Sequence, residues 1–125
     1  MEESFDIASA AGSFLTREKL RADKRRALHA RAVADCARII DMAVDVFHPL
    51  RVLQWGSLLE PEIFDESSDI DIAVEGLAGA RQFLDFIGRA LDMTDFPLDI
   101  VELEKLDPGS REALMRRARV VYERR

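Results

Sequence analysis

From Thr16 to Phe47 the sequence contains neither glycine nor proline, and this run constrains the fold more than any other feature. Apolar residues recur within it at Leu28, Ala32, Cys36, Ile39, Ile40, Ala43, Val44 and Phe47. That spacing lays a single stripe along a helix. It predicts one long helix over residues 16–48, with Ser13 or Thr16 available to cap its start. His48-Pro49 should end it, because the residue before a proline avoids the α region. The first half carries few apolar residues, so it is expected to project from the body or to meet another chain. Residues 1–15 have little periodicity and are expected to form a flexible N-terminal segment.

Beyond the helix the pattern changes period. Leu50 to Trp55 reads as a short strand, broken by Gly56-Ser57. Residues 58–68, with Pro61 and a polar Asp-Glu-Ser-Ser cluster, read as a loop. Asp69 to Glu75 alternates polar and apolar, the period-two signature of a strand. Gly76 and Gly79 bracket a turn, and Ala80–Leu91 places Phe83, Leu84, Ile87 and Leu91 at helical spacing. Pro97 opens a third strand, LDIVELE, with Asp99, Val101 and Leu103 on one face. Residues 107–110 form a turn and cap, residues 111–119 a closing helix, and Val120-Val121-Tyr122 an extended or helical stub. The order predicts an α/β (α+β) fold: a small mixed sheet of three to four strands flanked by helices. The 125 residues fit one domain over 16–125, whose core is 50–125.

Several function classes drop out on composition. No apolar run approaches the ~20 residues needed to span a bilayer. The start, MEESFDIASA, is acidic where a secretory signal would be basic, so a cytoplasmic location is expected. Cys36 is the only cysteine, which excludes an internal disulfide and argues against a Cys/His zinc cluster. The net charge of −6 is unevenly spread. Arg17, Lys19, Arg21, Lys24, Arg25, Arg26 and Arg31 make the first helix basic, whereas residues 60–107 carry fourteen acids against Arg81, Arg89 and Lys105. The basic half-helix reads as a solvated face or as a dock for an acidic partner. The lack of interleaved aromatic residues argues against nucleic acid.

The chemistry lies in WGSLLEPEIFDESSDIDIAVEG. Residues two apart in a strand point the same way, so Asp69 and Asp71 share a face at roughly 6–7 Å. Such carboxylates repel, and each favours protonation of the other unless a cation sits between them. Magnesium suits such a site, since it takes hard oxygen ligands and leaves positions for water and phosphate oxygens. Asp99, interrupting an apolar strand, is the natural third carboxylate. Two metals held this way support in-line displacement at phosphorus. Gly56 after a strand lets the backbone approach a phosphate closely, and Ser57 adds a hydroxyl donor.

The ordered set of strand, Gly56-Ser57, Ser68-Asp69-x-Asp71 in a second strand and Asp99 in a third resembles the DNA polymerase β-like nucleotidyltransferase superfamily. More narrowly it resembles the minimal nucleotidyltransferases (MNT) that pair with HEPN-domain toxins, over roughly residues 30–125. The tail LDIVELEKLDPGSREALMRRARVVYE resembles that family's closing strand, turn and helix. The resemblance implies metal and catalytic roles for Asp69, Asp71 and Asp99, and nucleotide contacts for Gly56 and Ser57, with Ser68 shaping the turn into the metal strand. It implies two Mg²⁺ ions, ATP or another NTP as substrate, and a HEPN-domain partner. The sequence departs from the family where a small residue, an Arg and a Gly usually follow Gly-Ser. Here Leu58-Leu59-Glu60-Pro61 stands instead, with a negative charge and a lost amide donor.

The expected function is therefore transfer of AMP from ATP to a hydroxyl of a HEPN toxin by an antitoxin enzyme, with homo- or hetero-oligomerisation through the N-terminal helix. The alternative is a nucleotidyltransferase-fold binding module, catalytically weakened by Glu60 and Pro61, that neutralises its partner by contact. A free-standing transferase acting on a small hydroxylated molecule would need a second domain that this length does not supply.

Overall fold

The computed structural model describes residues 7–125. Helix α1 spans Ile7–Met42 and continues through a π-helical turn at Ala43–Phe47. It starts well before Thr16. The Ala-rich residues around Ser9–Ala11 have no apolar period, but small residues with high helix propensity extend a helix without one. Thr16 is not a cap: its hydroxyl donates back to the Gly12 carbonyl at 2.9 Å, inside the helix. The part of the flexible segment expected at residues 1–6 lies outside the described residues. At the other end the expectation is met. His48 adopts a left-handed conformation (φ 51°) and its N–H donates to the Val44 carbonyl, and the chain turns at Pro49 into the sheet.

The sheet has four strands: β1 (Arg51–Trp55), β2 (Ile70–Glu75), β3 (Leu98–Glu102) and β4 (Arg119–Glu123), in the order β3-β2-β1-β4. β1 pairs antiparallel with both β2 and β4, and β2 pairs parallel with β3. Helix α2 (Ala80–Leu91) makes the β2–β3 crossover, with the boundaries its periodicity indicates. Helix α3 (Pro108–Arg117) follows β3. Asp107 caps α3 by accepting from the Ser110 N–H at 2.9 Å, and Pro108 occupies the first turn, where no amide donor is needed. The tail stub is a full edge strand. Its β-branched and aromatic residues Val120, Val121 and Tyr122 suit a pleated surface, and a bulge at Val52/Leu53 adjusts its register on β1.

Two layers of side chains flank the sheet. On one face Val52, Ile70, Ile72 and Val74 pack against Ala32, Cys36, Ile39, Ala43 and Phe47 of the first helix and Phe86 and Ala90 of α2. On the other face Leu53, Ala73 and Leu103 are covered by Leu114 and Met115 of α3. The first helical residue to join the core is Leu28. Ahead of it Ile7, Phe14, Leu15 and Leu20 are exposed, in line with the projecting half expected from the sequence. The mixed α+β architecture agrees with the expected fold class. Among the described residues no helix is long and apolar enough to cross a membrane.

Candidate active site

Asp71 stands near the start of β2, one of the two inner strands of the sheet. The ladder sets it opposite Trp55 of β1 on one side and opposite Asp99 of β3 on the other. Its neighbours Ile70 and Ile72 point into the core and are fully buried, so the pleat turns Asp71 to the opposite face, the one α3 covers further along. Asp69 precedes the strand and is half-buried. The three carboxylates predicted from spacing are thus electrostatic neighbours in the fold. Burial pushes the Asp71 carboxyl up from its ordinary 3.8 to about 7, with the charges of Asp99 and then Asp69 adding to the rise. No hydrogen bond or ion pair to another described residue offsets that strain.

Gly56 makes the close approach possible. It has φ +83°, and a Cβ placed there would lie 1.9 Å from Asp71 Oδ2. Only glycine combines that conformation with that contact. The turn it opens, Gly56–Leu59, is a short 3₁₀ segment closed by the Glu60 N–H donating to the Ser57 carbonyl at 2.9 Å. Ser68 lies in the turn before Asp69. Its N–H donates to the Asp65 carbonyl, and its hydroxyl accepts from the Asp65 N–H, both at 3.0 Å. The Asp65 carboxylate in turn accepts from the Ser67 N–H and hydroxyl, which hold it below the usual carboxylate range. The structure accordingly gives Ser68 a turn-shaping part through Asp65.

Asp69, Asp71 and Asp99 are the groups that could hold a metal. As a donor set they are all hard oxygen, which suits Mg²⁺, and a divalent cation would relieve the repulsion that raises Asp71. As they stand, however, no group of three or more His, Cys, Asp or Glu side chains among the described residues is arranged to hold a metal ion.

A cavity of about 440 Å³ opens at the Gly56 turn, lined by Trp55, Gly56, Ser57, Glu60, Ile63 and Arg117 among others but by none of the three carboxylates. A larger one of about 680 Å³ lies on the helix side of the same turn, bordered by His29, Asp41, Gln54, Leu58 and Arg119. Its lining is more apolar, and it too holds none of the three carboxylates. The smaller cavity is the one that includes Gly56, against which the Asp71 carboxyl lies.

Two further residues take part in this region. His29 is half-buried. Its Nε2 lies 2.8 Å from the Leu58 carbonyl and its ring packs edge-on to Phe64, so it ties α1 to the turn after Gly56. Arg117 enters only through the packing of α3, and no local motif announces it. Trp55 is half-buried between the second core cluster and the cavity. Cys36 is buried as expected, and burial raises its thiol to about 11.

No family model and no curated protein matches this chain. Among solved structures, one described as "Crystal structure of the toxin-antitoxin with AMP-PNP" is similar. It shares 18% sequence identity with a TM-score of 0.58, over 72% of this chain and 74% of that one. The likeness is one of fold.

Proposed function

We propose that this protein is a Mg²⁺-dependent nucleotidyltransferase of the MNT kind, acting as an antitoxin on a HEPN-domain partner in the cytoplasm. The observation that carries the reading is the register Trp55–Asp71–Asp99 beside Gly56. It brings a strained carboxylate, a second carboxylate and a close-approach glycine to one end of one sheet face. The shared fold with a toxin–antitoxin structure containing AMP-PNP, an ATP analogue, supports both the nucleotide and the antitoxin role.

In this reading Asp69, Asp71 and Asp99 would hold magnesium, two ions in all, and the metal would supply charge neutralisation of the triphosphate and a lowered pKa for the attacking hydroxyl. Gly56 and Ser57 present amide and hydroxyl donors to the phosphates, and Ser68 keeps Asp69 in place through Asp65. The partner's hydroxyl oxygen bonds to the α-phosphorus as the bond from that phosphorus to pyrophosphate breaks. The hydroxyl proton passes to Asp99, and pyrophosphate leaves. In this reading the modified protein itself supplies a wall of the acceptor site.

A second reading rests on Glu60, which lines the nucleotide cavity where the family usually carries a cation. There the protein would neutralise its partner by contact alone. Incubation with labelled ATP, Mg²⁺ and the HEPN partner, beside an Asp69→Asn/Asp71→Asn variant, separates the two. Label on the partner that disappears with the variant is the expected outcome. A tight complex without label would replace the enzyme by the binding module.

A further inference from the structure

The sequence shows no cation after Gly56-Ser57, yet a triphosphate site without one is electrostatically incomplete. The fold supplies one from elsewhere. Three arginines lie where α3 gives way to β4, and each has a different fate. Arg116 turns back along the helix to Glu112, at 3.1 Å. Arg119 enters β4 and reaches the Gln54 side chain at 3.5 Å. Arg117 sits in the last turn, exposed, and borders the cavity over Gly56 and Ser57. Among the described residues it makes no hydrogen bond or ion pair, and it is the one cation lining that cavity. Glu60 lines the same cavity without pairing with it.

We propose that Arg117 is the polyphosphate-binding residue of this site, replacing from across the cavity the arginine that the Gly56-Ser57 turn lacks. The inference rests on the nucleotidyltransferase reading and deepens it. Three arguments support it. Arg116 and Arg119 have their own partners, which leaves Arg117 as the cation available to a ligand. Its guanidinium presents a planar fork that matches phosphate oxygens bidentately. The cavity it shares with Gly56 also places it on the sheet face of Asp71, so cation and carboxylates would meet opposite parts of one metal–nucleotide complex. Glu60 then adds discrimination: its charge disfavours a bare polyanion more than one already chelated by magnesium.

The test is calorimetric titration of the full chain with MgATP, for wild type, Arg117→Ala, Arg117→Lys, Arg116→Ala and Asp71→Asn. Inorganic tripolyphosphate with Mg²⁺, which has neither base nor ribose, serves as competitor. Losing one charge-assisted contact to phosphate should weaken MgATP about tenfold. Arg117→Ala is expected to show that loss, to lose competition by tripolyphosphate to the same degree, and to melt like wild type because no internal partner is removed. Arg117→Lys should recover part of the affinity, and Arg116→Ala should bind as wild type does. If Arg117→Ala keeps wild-type affinity while Asp71→Asn loses it, the assignment of Arg117 is overturned and the nucleotide site stands. An equal loss in Arg116→Ala would also overturn it, reducing the effect to general positive charge. Failure of wild type to bind MgATP would overturn both.

Discussion

The Asp71 carboxyl allows a test of the site in the protein alone, before any nucleotide or partner is added. Its folded-state value of about 7 lies above the 3.8 it has in the unfolded chain. A raised carboxyl costs nothing below its unfolded value, where both states are protonated. The cost grows as pH rises, because the fold must give up a proton that it holds more tightly than the unfolded chain does, and it is complete above about 7. Taken at face value, a move from 3.8 to about 7 corresponds to about 4 kcal/mol. Half of the group's surroundings are solvent, and screening reduces this to about 2 kcal/mol. Asp71→Asn removes the charge, nearly preserves the shape and breaks no hydrogen bond to the protein. It should therefore stabilise the metal-free protein by about 2 kcal/mol at pH 8, raising Tm by roughly 6–8 °C for a domain of this size. At pH 5, where much of the linkage is still unspent, the gain should fall below half of that. Differential scanning calorimetry in chelator-treated buffer at the two pH values reads both numbers. Added Mg²⁺ should then raise the wild-type Tm at pH 8 and leave the variant unmoved. An equal Tm shift at pH 5 and pH 8, or a destabilised variant at pH 8, would refute the electrostatic argument for the carboxylate cluster.

Glu75 provides the opposite sign on the same strand. Its carboxylate accepts from Arg51 at 2.7 Å and from Arg111 at 2.9 Å, and these partners hold it below the ordinary range. Its contribution is present above the unfolded value and is lost as pH falls through the folded one, so Glu75→Gln should cost about 1–2 kcal/mol at pH 7 and progressively less in acid, by chemical denaturation. Gly56→Ala should force the Asp71 carboxyl aside and also pay for the positive φ. A loss of about 1–2 kcal/mol, with nucleotidyl transfer abolished, is the expected outcome, and an active alanine variant would dissociate the glycine from the site. Ile39 is fully buried in the core between α1 and the sheet, and Ile39→Ala should cost about 2–4 kcal/mol in urea unfolding. Burial that lifts the Cys36 thiol to about 11 should leave it inert to an aromatic disulfide reagent at pH 8 until the chain is unfolded.

What the sequence displayed and what it concealed divide along one physical line, the reach of local information. The alternation Asp69-Ile70-Asp71-Ile72 is local, and it specified both the strand and its buried face. The periodicity of Ala80–Leu91 is local too, and the helix has those boundaries. Pairing is not local. Asp99 could be chosen as a third carboxylate because it interrupts an apolar run, but only the parallel register of β2 with β3 sets it opposite Asp71. The last strand was hidden for the same reason, since Val120–Tyr122 is too short to declare itself and becomes a strand by pairing with β1. His29 looked like one polar residue on a helix until the turn after Gly56 brought the Leu58 carbonyl to its ring. Arg117 is the most telling of these cases. Read along the chain, it is one of several arginines in a basic tail, while Leu58-Leu59-Glu60-Pro61 reads as a motif that has lost its cation. Once α3 is packed across Leu53 and Leu103, its final turn returns a guanidinium to the rim of that same motif. A charge missing from a motif therefore does not argue for an inactive site until the fold has been searched for a charge that arrives from another element.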